Sequence, residues 1–297
     1  MDTVSFMALG SERVRTLLLG GGYTLGRLAV LLPRDSFVIT SRSQEQCSEW
    51  RSNGWNSATV TVTDVDSIRS VFESYPFLQN IIDSVPPIAA AEDPALGVRT
   101  ILSVTRDFDV RRIIYLSTTG VFGVRDGSWV DESTPALPWN PLGEARYVCE
   151  QAYRESGVRF TTLRLPAIYG PGRGIGSALK AGSYRLVGDG ANWTNRIHVQ
   201  DLAQILLRSL EAEELPESLC ISDDQPTQAK EVVRFYCERL GLPLPKSSSV
   251  EEVLARGAYT MLSNQRVRNL KMKRVLNLEL QFPSYLEGFD TGEVGER

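Results

Sequence analysis

Short, nearly unbroken apolar runs alternate with amphipathic stretches from Val14 onward, and few folds accept that pattern. Thr16–Leu19, Phe37–Thr40, Thr59–Val62, Asn80–Val85, Arg112–Ser117 and Phe160–Leu165 read as strands, and helical periodicity fills the intervals. A strand that is apolar on both faces has to be covered on both faces, and a helix between consecutive strands makes each connection a right-handed crossover. The expectation is an α/β chain built on a doubly wound parallel sheet. Beyond Leu165 the regularity falls. A glycine-rich passage, Gly170–Gly176, leads to a smaller α+β region with helices at Val199–Leu210 and Gln228–Leu240, and Ser218–Ser222 reads as a further strand returning to the main sheet.

Composition narrows the function. Among 297 residues, 32 Lys and Arg stand against 36 Asp and Glu, a net charge of −4 that advertises no polyanion-binding surface, so nucleic acid is not an expected partner. Cys47, Cys149, Cys220 and Cys237 lie far apart without a C-x-x-C pair, the pattern of reduced thiols in a cytoplasmic protein rather than of a disulfide framework. His198 is the sole histidine, so a His-rich metal site is excluded and a Ser-His-Asp triad would have to form around that residue. No apolar stretch approaches the roughly 20 residues of a membrane span. Met1–Glu12 lacks the charged and apolar regions of a targeting leader, and residues 1–13 read as a loose extension.

The first strand runs into Leu19-Gly20-Gly21-Gly22-Tyr23-Thr24-Leu25-Gly26, a glycine turn that opens a helix. In that context Gly20 allows the tight turn, Gly22 lets backbone amides approach a pyrophosphate, and Gly26 permits close packing of helix on strand. Thr24 and Leu25 belong to the same binding element, and Tyr23 either covers the pyrophosphate or lies exposed. The spacing, Gly-x-Gly-x-x-x-Gly, is one residue longer than the common dinucleotide fingerprint. The second strand ends in Thr40-Ser41-Arg42-Ser43, where NAD-binding chains carry an acid for the ribose 2′-hydroxyl. With Ser41 and Arg42 there instead, a guanidinium flanked by hydroxyls suits a 2′-phosphate, and NADP is expected over NAD. Asp64, in Thr63-Asp64-Val65 at the expected close of the third strand, reads either as acceptor for the adenine amino group or as N-cap of a helix over 66–74. Residues 14–169 are therefore expected to bind the dinucleotide and residues 170–297 to form the substrate side.

Further landmarks accumulate downstream: Tyr115-Leu116-Ser117-Thr118-Thr119-Gly120-Val121-Phe122-Gly123, Asp131-Glu132-Ser133-Thr134-Pro135, Pro166-Ala167-Ile168-Tyr169-Gly170-Pro171, and Ile197-His198-Val199-Gln200-Asp201. With the glycine turn they give nearly the whole chain a resemblance to the extended short-chain dehydrogenases/reductases, the superfamily of nucleotide-sugar epimerases and dehydratases. The resemblance implies a Rossmann-type sheet whose dinucleotide is flanked by Val85 and Pro86 and by the backbone of Pro166 to Ile168. It implies that Thr118, five residues before Gly123, hydrogen-bonds a substrate oxygen. It also implies structural roles for Glu132 and for His198, in a turn before the helix that Asp201 helps start, and makes a homodimer through paired helices a common arrangement.

The chain departs from that pattern in the active-site helix. Relatives carry Tyr-x-x-x-Lys with Glu four residues on; anchored at Glu150, the tyrosine position holds Leu142 and the lysine position Arg146. In an intact site the lysine holds the nicotinamide ribose and lowers the phenol's pKa. Leucine moves no proton, whereas arginine still donates to ribose hydroxyls. The pattern is similar to an atypical branch of the family. Tyr147 is a candidate substitute acid, although five residues at ~100° each turn it about 140° from Leu142; Tyr115 and Tyr169 are further candidates, with packing the alternative for each. The arginine that grips a sugar nucleotide's diphosphate in relatives, four residues before His198, is Thr194 here, which disfavours such substrates and leaves Arg173, Arg185 or Arg196 as replacement ligands. The expected function is an NADP-dependent oxidoreductase or epimerase-like enzyme on a small hydroxy or carbonyl substrate, with Thr118, Arg146 and Tyr147 at the catalytic site and no metal. A non-catalytic NADP(H) sensor or scaffold is the competing class, and a nucleotide-sugar epimerase with a relocated acid the weaker one.

Overall fold

The computed structural model describes residues 13–289; the expected N-terminal extension lies outside them apart from Arg13. The chain runs β1 (Thr16–Leu19), α1 (Tyr23–Leu31), β2 (Phe37–Ser41), α2 (Gln44–Ser52), β3 (Asn56–Thr59), α3 (Val65–Ser74), β4 (Asn80–Asp83), α4 (Leu96–Thr105), β5 (Arg112–Thr118), β6 (Trp129–Val130), α5 (Pro141–Glu155) and β7 (Phe160–Leu165). It continues as β8 (Ala167–Tyr169), α6 (Ile175–Lys180), β9 (Leu186–Val187), β10 (Trp193–Thr194), β11 (Arg196–His198), α7 (Val199–Glu211), β12 (Ser218–Cys220), β13 (Thr227–Gln228) and α8 (Ala229–Leu240).

Seven strands form the main sheet in the order β12-β7-β5-β4-β1-β2-β3. β1 lies inside it, pairing in parallel with β2 (Leu17 opposite Val38) and with β4 (Leu17 opposite Ile81). All four β1 side chains are buried, as a strand covered on both faces requires. This is a Rossmann-type doubly wound sheet. The third strand differs from the sequence expectation of Thr59–Val62: it is Asn56–Thr59, paired with Val38–Ser41. An edge strand needs less apolar surface than an inner one, so its polar sequence carried no strand signal. The expected fourth strand likewise stops at Asp83, short of Val85.

Two compact units are distinguishable. Of the described residues, one comprises those through Ser117 with Glu144–Leu163 and Ala203–Ser218; the other comprises Thr118–Gly143, Arg164–Leu202 and those from Leu219. The first unit buries a core that includes Leu17, Val38, Ile81, Ile113 and Tyr153. In the second, Leu179, Val232, Val233, Tyr236 and Tyr285 form one core, and Phe122, Val130, Cys220 and Val267 another. Among the described residues no helix is long and apolar enough to cross a membrane.

Candidate active site

β1 ends at Leu19 and the chain turns at Gly20, whose φ of +81° is a left-handed geometry that a side chain would strain. Gly20 N donates to Thr40 Oγ1 at 3.2 Å and Gly21 N to Thr40 O at 2.6 Å, tying the turn to β2. A Cβ on Gly21 would stand 2.5 Å from Trp50 Cη2 and 2.6 Å from Ile39 Cγ1. The close packing expected of Gly26 therefore belongs to Gly21. A Cβ on Gly26 would meet nothing within 4 Å, because α1 starts at Tyr23 and carries Gly26 on an open side of its first turn.

That openness is what a dinucleotide needs. A Cβ on Gly22 would have only Gly20 O near it, at 3.9 Å. Gly22 caps α1 without a side-chain acceptor, and no acid stands in the first turn. Bare backbone at a helix N-terminus fits a pyrophosphate by geometry and by sign of charge. The side chains of Thr24 and Leu25 are buried. Tyr23 is half-buried, with the Arg27 guanidinium 3.7 Å from its ring centre.

At the end of β2, Ser41 Oγ accepts from Ser43 N at 3.1 Å, Ser43 caps α2, and Arg42 is exposed. Asp64 lies beyond β3 rather than closing it. Its Oδ1 accepts from Asp66 N at 3.0 Å and Ser67 N at 3.3 Å, so it is the N-cap of α3, which begins at the exposed Val65.

The ends of β1, β4 and β5 converge around Arg146. Ser84 Oγ donates to Gly20 O at 2.7 Å, and a Cβ on Gly20 would lie 3.1 Å from Val85 Cγ2. Arg146, half-buried on α5, donates from Nη1 to Leu116 O at 2.8 Å, Tyr115 Oη at 3.1 Å and Val85 O at 3.3 Å. Gly20, Val85 and Arg146 are thus brought together. These three contacts all use Nη1, and the guanidinium fork carries further donors on Nε and Nη2. Four residues along α5, buried Glu150 accepts from Ser117 Oγ at 2.6 Å, which pins the helix to β5. Val85, the exposed Pro86 and Pro87 border a small cleft of about 60 Å³ that reaches Cys149.

Beneath the cleft lies a polar cluster that sequence reasoning missed. Tyr153 Oη donates to Asp83 Oδ2 at 2.7 Å, and Val85 N donates to Asp83 Oδ1 at 2.9 Å. Burial pushes the Asp83 carboxyl up, the Tyr115 and Tyr153 phenols well up, and the Cys149 thiol up to about 11. Tyr115 is fully buried and accepts from Arg146 Nη1, so it anchors Arg146. A carboxylate inside the apolar run Asn80–Val85 was the available signal.

In the second unit, Thr118 is half-buried at the end of β5, and its Oγ1 accepts from Gly120 N at 3.1 Å, leaving the O–H to donate. Gly123, φ +70°, closes this turn where a Cβ would collide with Leu137 O. Leu142 N and Gly143 N each donate to Asn140 Oδ1 at 3.1 Å, capping α5, and the Leu142 side chain is 42% exposed. Tyr147 is half-buried farther along the same helix. Pro166 and Ile168, both half-buried, sit just before and within β8. Tyr169 is buried, donates to Ser284 O at 3.1 Å and packs 5.1 Å from His198, so it is a packing residue. His198 is fully buried and its Nδ1 accepts from Gln200 N at 3.3 Å, a turn contact. Asp201, the acid in the first turn of α7, also accepts from Gln281 N at 2.8 Å and Phe282 N at 2.9 Å, tying down a later segment. Glu132 accepts from Cys220 N at 2.8 Å, a structural contact.

Comparison with known proteins accords with this geometry. The model of the NAD dependent epimerase/dehydratase family matches residues 29–221. A putative UDP-glucose 4-epimerase of Methanocaldococcus jannaschii is 29% identical over 148 residues, 44% of this chain and 48% of that protein. A 3-diazoavenalumate denitrifying reductase of a Streptomyces species is 27% identical over 177 residues, 54% of this chain and 58% of that protein. The chain spans about half the length of these curated relatives. The solved structure of a functionally unknown conserved protein from Silicibacter pomeroyi is 30% identical with a TM-score of 0.76, covering 94% of this chain and 98% of that one. The family match begins inside α1 and runs through β12, taking in β5, the Arg146 helix and the Tyr169 segment: the chain belongs to the NAD dependent epimerase/dehydratase family.

Proposed function

We propose that the chain is an NADP-dependent oxidoreductase or epimerase-like enzyme acting on a small hydroxy or carbonyl compound. The observation that carries the cofactor choice is Arg42, an exposed guanidinium in the place where an acid would repel a 2′-phosphate. The open glycine turn would take the pyrophosphate, Asp64 and Val65 would border the adenine, Val85 and Arg146 the nicotinamide ribose, and Pro166 and Ile168 the nicotinamide. The cofactor supplies hydride chemistry when bound. Thr118, its oxygen already held by Gly120 N, directs its O–H to a substrate oxygen. With Leu142 unable to move a proton and Tyr115 locked by burial, Tyr147 is the proton source we assign.

Titration with NADPH and NADH, read by nicotinamide fluorescence, tests the reading. Arg42→Ala is expected to weaken NADPH about 10- to 100-fold, the worth of one charge-assisted hydrogen bond, and to spare NADH. Failure of both dinucleotides to bind at millimolar concentration overturns it. A second reading, an NADP(H) sensor, is favoured by the exposed Leu142 in the acid's position. Thr118→Ala and Tyr147→Phe separate the two: an enzyme loses turnover with NADPH binding intact, and a sensor has no turnover to lose.

A further inference from the structure

β4 ends in an acid where packing alone calls for an aliphatic side chain. Asp83 is 2% exposed and follows the fully buried Ile81 and Ile82. A carboxyl in such a place is costly unless its oxygens are hydrogen-bonded, and both are. Oδ2 accepts from Tyr153 Oη and Oδ1 from Val85 N. Val85 lies past the end of the strand, so its N–H needs a partner outside the sheet ladder, and the Asp83 carboxyl is that partner. Burial pushes the carboxyl up, but the contact does not depend on its charge, since a protonated carboxyl keeps an acceptor oxygen.

Val85 is held at its other end as well, its carbonyl accepting from Arg146 Nη1. Asp83 and Arg146 thus grip the N–H and the C=O of one residue. Ser84, between Asp83 and Val85, ties the same segment to the glycine turn through Gly20 O. Tyr115, paired with Asp83 across β4 and β5, accepts from the same Nη1, and its ring centre lies 5.2 Å from that of Tyr153. Among the described residues Arg146 hydrogen-bonds through Nη1 alone, so Nε and Nη2 keep their donors. A planar guanidinium with one arm fixed has little freedom left in the others. All these residues belong to the first unit.

We propose that Asp83 is a positioning residue for the cofactor: by holding Val85 it fixes the Arg146 guanidinium, whose Nε and Nη2 then take the nicotinamide ribose. The inference rests on the place given above to Val85 and Arg146 and adds the residue that sets them. Calorimetric titration of the full chain with NADPH and with adenosine 2′,5′-bisphosphate, which lacks the nicotinamide and its ribose, tests it. Asp83→Leu is expected to weaken NADPH tenfold or more and the bisphosphate less than threefold. Asp83→Asn, which keeps an oxygen for Val85 N, is expected to return NADPH to within threefold of the parent. In an Arg146→Met background, Asp83→Leu is expected to add less than threefold, because both act through one group. Undiminished NADPH binding by Asp83→Leu, equal loss of both ligands, an Asn variant as weak as the Leu variant, or a full further loss in the Arg146→Met background overturns the inference. Should Asp83→Leu not fold, Tyr153→Phe, which removes one donor to the carboxyl, decides: NADPH weakened threefold or more with the bisphosphate spared supports the inference, and unchanged NADPH overturns it. A parent chain that binds no NADPH sinks the proposed function and this inference with it, whereas a parent that binds NADPH with indifference to Asp83 sinks this inference alone.

Discussion

Two glycines of one turn make opposite demands on their surroundings. Gly21 has no room for a methyl group between Trp50 and Ile39, so Gly21→Ala is expected to cost about 1–3 kcal/mol through overpacking, read as a lower midpoint in urea. Gly26 has open space and sits in a helix, so Gly26→Ala is expected to stabilise the unliganded chain by up to about 1 kcal/mol. If that space is kept for the dinucleotide, the same variant binds NADPH at least tenfold more weakly; unchanged affinity would mean that Gly26 serves no ligand. The spacing of glycines was legible in the sequence, but which one is crowded depends on Trp50 and Ile39, brought in by other elements. That Leu142, Arg146 and Glu150 share one helix was legible for the opposite reason: their relation is fixed by spacing along α5. Asp83 and Tyr153 are 70 residues apart, and no local pattern announces such a pair.

At the scale of elements, legibility followed burial. β1, β7 and the flanking helices were readable because a doubly covered strand or an amphipathic helix writes its surroundings into its sequence. β3, with Asn56 and Ser57 in place of an apolar run, wrote nothing of the kind, and its misplacement carried Asp64 with it. In its actual position Asp64 starts α3. Asp64→Ala is expected to cost about 1 kcal/mol as a lost N-cap, whereas Asp64→Ser keeps an acceptor for the helix and holds the urea midpoint. If Asp64 also accepts from adenine, Asp64→Ser weakens NADPH and NADH alike, about three- to tenfold, since adenine is common to both. That equal loss contrasts with the selective loss expected from Arg42→Ala. A Ser variant with unchanged affinity for both would leave Asp64 as a cap alone.

For the molecule as a whole, the buried carboxyls set how stability responds to pH. Burial raises Asp83, Asp201 and Asp223, the last from 3.8 to about 7. Between those values the folded chain holds a proton that the unfolded chain has released, so stability falls as pH rises through the window and levels off above it. At ~1.4 kcal/mol per unit, Asp223 alone accounts for at most about 4 kcal/mol, fully present below pH ~4 and lost by pH ~7, with the charge of Arg196 acting against burial. The exposed carboxylates lowered by their partners, such as Asp35 beside Arg13, have the opposite sign. Their contribution is lost as pH falls below about 4, and at the surface it is screened. Urea unfolding is therefore expected to give a higher midpoint at pH 5 than at pH 8. Asp223→Asn removes one titration and is expected to shrink that difference, whereas Asp35→Asn leaves it in place. A midpoint independent of pH, or an Asp223→Asn chain with as large a difference as its parent, would show that the buried carboxyls are ionised in the fold, and with Asp223 charged the cation at Arg196 would already have its counter-ion.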